Sequence, residues 1–132
     1  MVKQLIKLLS TCFLFSASSF AMELKCPDKL SVDQKALIVP KPWRVGHSQF
    51  TPKLISINLY DGIPEEMASL APDNKGTNEN FYIWSLDKGN EYWLECNYNH
   101  TNITLSMALP KNLTQCKAFY NDIGKPYQFS CQ

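Results

Sequence analysis

The sequence predicts a mainly β domain: an antiparallel sheet or small β-sandwich of about six to eight strands, disulfide-braced, with one short helix near residues 64–71. Three observations carry that prediction. Residues 92–98 and 103–109 alternate apolar with polar positions, the period of a half-buried strand. Eight prolines and many Asn, Asp and Gly residues cut the chain into pieces too short for long helices. Four cysteines, Cys26, Cys96, Cys116 and Cys131, follow a segment with the three parts of a secretory leader.

That leader comprises Lys3 and Lys7, an apolar run at 8–15, and the small-residue exit Ser19, Phe20 and Ala21. Cleavage after Ala21 gives a signal peptide at 1–21 and a single domain at 22–132, with the periplasm as its destination. A lipoprotein reading at Cys12 fails, because most of the apolar run still follows it. The run is also shorter than the roughly 20 apolar residues needed to cross a bilayer.

In order along the chain, 36–43 reads as an extended edge made irregular by Pro40 and Pro42. Residues 53–60 form a strand in which Ile55, Ile57 and Leu59 share the apolar face. Pro64 opens the helix, Glu65 and Glu66 suit its positive end, Met67 and Leu70 share the side that packs on the sheet, and Pro72 stops it. Strands follow at 80–85, 92–98, 103–109, 115–120 and 127–131. In the fourth of these six strands, Ile103, Leu105, Met107 and Leu109 form the dry side; in 92–98 it is Tyr92, Leu94, Cys96 and Tyr98, with Glu95 and Asn97 on the wet side.

The last two strands flank a loop centred between Ile123 and Gly124, which sets Cys116 opposite Cys131. Cys26 then pairs with Cys96. In a simple meander Cys96 and Cys116 are two strand spacings apart, beyond the reach of the bond. A zinc site is disfavoured, because there is no CxxC pair and the two histidines are far apart in sequence.

Cys26-Pro27, the run from Tyr60 through Asp61, Gly62, Pro64, Glu65, Glu66, Met67 and Leu70 to Asp73, the segment 92–98, and Leu109-Pro110 before Cys116 carry a resemblance. Together they resemble a family of small exported proteins of Gram-negative bacteria that is designated by a locus tag. The resemblance covers most of residues 22–132. It implies a periplasmic home and brings no catalytic residues with it. The naming member lies in a type VI secretion gene region, which implies an immunity role.

The search for chemistry gives little. His47 and His100 lie in polar loops, the thiols are consumed in disulfides, and Glu65 and Glu66 diverge on a helix. No phosphate loop, GxSxG elbow or HExxH stretch occurs. The reading is therefore of a non-enzyme with no cofactor and no metal.

Charge is more telling. Without Lys3 and Lys7, 11 basic residues face 12 acidic ones, which argues against nucleic-acid binding. Residues 59–95 hold eight acids against Lys75 and Lys88, whereas 22–58 sum to +3. An acidic face of that kind steers a basic protein partner. The leading expectation is a periplasmic protein-binding module, an inhibitor or immunity protein against a cell-wall-degrading enzyme or toxin. Its contact residues are Tyr60, Asp61, Glu65, Glu66, Asp73 and Trp93. The alternative is a carbohydrate or small-ligand binding domain that uses Trp93 or Trp84 as a stacking platform.

Overall fold

The computed structural model describes residues 20–47 and 49–132; most of the expected leader, at 1–19, lies outside the described residues. The strands are β1 (Met22–Leu24), β2 (Leu54–Asp61), β3 (Phe81–Ser85), β4 (Tyr92–Tyr98), β5 (Leu105–Ala108), β6 (Gln115–Tyr120) and β7 (Pro126–Cys131). They form two antiparallel sheets, one ordered β1-β7-β6-β3 and the other β2-β4-β5. Apolar side chains from both sheets meet in a single core: Ile57, Leu59 and Leu94 from one, Trp84, Ala118 and Phe129 from the other. Tyr120 spans the gap, its phenol hydrogen-bonded to the Ile57 backbone, and burial pushes that phenol up to about 12.

Both predicted disulfides are present, Cys26–Cys96 with its Cα atoms 5.8 Å apart and Cys116–Cys131 at 4.1 Å. Cys116 faces Cys131 across the β6–β7 ladder, as the hairpin centre requires. The meander behind the pairing argument is corrected. The chain leaves β2 for β3 in the opposite sheet, returns for β4 and β5, and crosses again to β6, so Cys96 and Cys116 belong to different sheets. Two sheets each bury one face, and alternating between them lets a short chain close its core.

Several local expectations change. The helix is only a 3-10 turn, Pro64–Glu66, ended by Met67 in the left-handed region at φ 59°. Residues 68–70 then run along β2, where Asp61 N donates to Ala68 O at 2.9 Å and Leu70 N to Leu59 O at 2.8 Å. Those bonds satisfy backbone groups that a longer helix would have left open on β2. Met67 is consequently 82% exposed instead of packed on the sheet, while Leu70 does reach the core.

In β2 the register slips between Leu54 and Ser56, so Leu54, Ile57 and Leu59 point inward and Ile55 is 47% exposed. Ile103 lies before the start of β5, and it and Met107 of β5 are exposed, Met107 at 46%. The three-residue β1 is too short to cover them, which leaves an apolar groove lined by Leu24, Cys26, Pro27, Leu94, Leu105 and Met107. Residues 36–43 are irregular and pair with nothing in a sheet, and β1 has no counterpart among the predicted strands.

Candidate functional site

The outer face of the β2-β4-β5 sheet is built by strand alternation. Tyr92, Leu94, Cys96 and Tyr98 go inward, which turns Trp93, Glu95 and Asn97 outward from the central strand. Cross-strand register adds their neighbours: Tyr60, Trp93 and Ala108 share one rung, Asn58, Glu95 and Ser106 the next, and Ser56 lies beside Asn97.

Glu95 departs from expectation. Its position is on the side predicted to be wet, yet it is only 8% exposed. Side chains of the flanking strand close over it. Its Oε1 accepts the Tyr60 hydroxyl at 3.0 Å and Asn58 Nδ2 at 3.4 Å. Burial, and then the hydrogen bond to Glu95 and its charge, push the Tyr60 phenol above its ordinary 10.0, which keeps the phenol a donor. Trp93 is half-buried, and its Nε1 donates to Glu91 Oε1 at 2.8 Å. Asn97 Nδ2 is buried without a hydrogen-bond partner.

At the Trp93 end of this face the chain turns. Gly62 N donates to Glu91 O at 2.8 Å, and Gly62 takes φ +87° with Glu66 Oε2 lying over it, so close that a Cβ there would meet it at 2.8 Å. Asp61, Glu65, Glu66 and Glu91 thus gather around one turn, whose tip also exposes Ile63 and Met67. Neither Lys nor Arg occurs in β2, β4 or β5.

The predicted contact residues divide. Tyr60, Asp61, Glu65, Glu66 and Trp93 come together here. Asp73 does not join them: its Oδ2 accepts Ser85 N at 2.8 Å and Ser85 Oγ at 2.7 Å, on the edge of the other sheet. Trp84 is no stacking platform, because it is 4% exposed and its Nε1 donates to Leu70 O. Asn58, Glu95, Asn97 and Met67 were not expected at the site. Parity alone put Glu95 and Asn97 on this side, but nothing local signals the burial that neighbouring strands impose.

His47 and His100 are exposed and border an open depression with Asp33 and Phe50, whose ring stacks on His100 at 4.8 Å. Among the described residues no set of three or more His, Cys, Asp or Glu is placed to hold a metal ion, and no helix is long and apolar enough to cross a membrane. On the opposite outer face Lys117 Nζ sits 4.7 Å from the Phe81 ring centroid and 5.6 Å from that of Phe119.

A model of the Type VI secretion system Tli immunity protein family matches residues 48–132, which take in β2 to β7. No curated protein and no solved structure matches.

Proposed function

The chain belongs to the Type VI secretion system Tli immunity protein family, whose partner is a toxin protein, and from that premise we propose how and where it neutralises the toxin. It works in the periplasm, after a leader at 1–21 has directed export, and it acts by occlusion and performs no reaction of its own. The two disulfides are in keeping with an oxidising compartment. The surface applied to the toxin is the outer face of β2-β4-β5 together with the turn from Asp61 to Met67.

One observation carries this choice of surface. On that side aromatic rings, a buried carboxylate and an exposed acidic and apolar turn adjoin three strands that hold no basic residue. Carboxylates around Gly62 attract a basic toxin, while Tyr60, Trp93 and Met67 supply apolar area at the contact. The class of target we propose is an enzyme that degrades the cell wall and presents a basic rim around its cleft.

Co-expression in the periplasm with candidate type VI secretion toxins, to find the one it neutralises, tests the proposal. The wild-type chain should protect cells. Trp93→Ala with Glu65→Lys and Glu66→Lys should remove protection, and Lys117→Ala on the opposite face should not. Retained protection by the first set would reject this surface. For the carbohydrate-binding alternative only Trp93 of its two platforms remains, already tied to Glu91. Quenching of its fluorescence by cell-wall fragments would revive that reading.

A further inference from the structure

We infer that Glu95 is a socket for a single arginine of the toxin, with Asn97 beside it receiving a backbone carbonyl from the same segment. The inference rests on the toxin-binding reading above and specifies its chemistry.

The free protein leaves two complementary deficits side by side on one strand. Glu95 is 8% exposed, its hydrogen-bond partners are two neutral donors, and among the described residues no cation pairs with it. The salt bridges among the described residues join Lys25 and Lys125 to Asp28 and Lys35 to Asp33, all away from this face. A carboxylate withdrawn from water without a counter-ion is costly, and an apolar residue on a half-covered sheet face would be the cheaper occupant. Two residues on, Asn97 Nδ2 is buried with no acceptor. Buried polar groups are nearly always paired, so an orphan donor calls for an explanation. One site lacks a cationic donor and the other lacks an acceptor. A chain segment presenting an arginine side chain and a main-chain carbonyl supplies both.

Arginine fits better than lysine. The carboxylate lies one rung along from the paired Tyr60 and Trp93, so an entering cation has two aromatic side chains as neighbours on the same face, and a guanidinium is planar, weakly hydrated and able to stack. It also offers several N–H groups to an acceptor that already takes two hydrogen bonds on Oε1 alone.

The experiment measures the dissociation constant of the full disulfide-bonded chain with the type VI secretion toxin that the co-expression test shows it neutralises. It compares the wild type with Glu95→Gln, with Trp93→Ala as a control on the same face, and with Lys117→Ala on the opposite face. Glu95→Gln keeps the shape and the acceptor for Tyr60, and it should weaken binding by at least about 30-fold. Its thermal midpoint should equal or exceed that of the wild type, a result that a purely structural carboxylate would not give. Replacing the toxin's arginines singly with glutamine should reveal one whose loss costs as much and adds nothing to Glu95→Gln. If Glu95→Gln binds within about threefold of wild type while Trp93→Ala is weakened, the socket is wrong and the face stands. If neither variant matters, or the wild type does not bind, the reading of the face fails with it.

Discussion

Removing the bond between Cys26 and Cys96 tests what holds the long amino-terminal arm. The bond closes a loop of sequence separation 70, for which the chain-entropy model gives roughly 4 kcal/mol, against roughly 3 kcal/mol for the separation of 15 at Cys116–Cys131. A domain of this size has a net stability of roughly 5–15 kcal/mol, so the first bond amounts to a large fraction of it. Its other ties are the three-residue β1–β7 ladder, the Lys125–Asp28 ion pair and a few hydrogen bonds. Leu30 N donates to Pro52 O at 3.0 Å, Leu54 N to Asp28 O at 2.9 Å, and the Tyr98 hydroxyl to Pro27 O at 2.8 Å. In urea unfolding, the double variant Cys26→Ala, Cys96→Ala should lose about 3–4 kcal/mol, with a steeper slope because the uncrosslinked denatured chain exposes more surface. Hydrogen exchange should show the amides of Leu30 and Leu54 opening before those of β4. A loss below about 1 kcal/mol with those amides still protected would refute the assignment of the arm's attachment to this bond.

Three further outcomes follow from local geometry. Met67→Gly should raise stability by up to about 1 kcal/mol by relieving a left-handed backbone, and should weaken toxin binding by removing an exposed apolar contact; calorimetry and a binding titration read the two effects. Asp73→Ala should cost about 1 kcal/mol through the lost Ser85 bonds and leave toxin affinity nearly unchanged, which chemical denaturation and the same titration check. The fold raises the Tyr120 phenol from 10.0 to about 12 and so favours its neutral form; that contribution is complete below pH 10.0 and is lost as pH rises through about 12. Denaturation across that window should show a smaller alkaline decline for Tyr120→Phe than for wild type.

What the sequence made legible followed from short-range periodicity. The full alternation of Tyr-Trp-Leu-Glu-Cys-Asn-Tyr fixes both ends of β4, and the loop around Ile123 and Gly124 fixes the β6–β7 register and with it a disulfide. The helix was overread because its signals, a proline followed by acids, also suit a single 3-10 turn, and only the open backbone of β2 decides what comes next. The division into two sheets depends on crossovers that no local pattern encodes. At the site, parity sent Trp93 outward, but the burial of Glu95 is made by Tyr60 and Asn58, 35 and 37 residues earlier in the chain. A bulge at Ile55 sets which β2 side chains reach it, and bulges leave little trace in composition.

Among the four cysteines of residues 22–132, the first is joined to the second and the third to the fourth, Cys26 to Cys96 and Cys116 to Cys131. A polypeptide threaded amino terminus first into an oxidising space offers its thiols in that order. Under the proposed export, an oxidant that merely couples neighbours on arrival would yield these bonds without reshuffling. On the proposed route, maturation would keep pace with delivery, and a defender of this build would be ready soon after its last residues emerge.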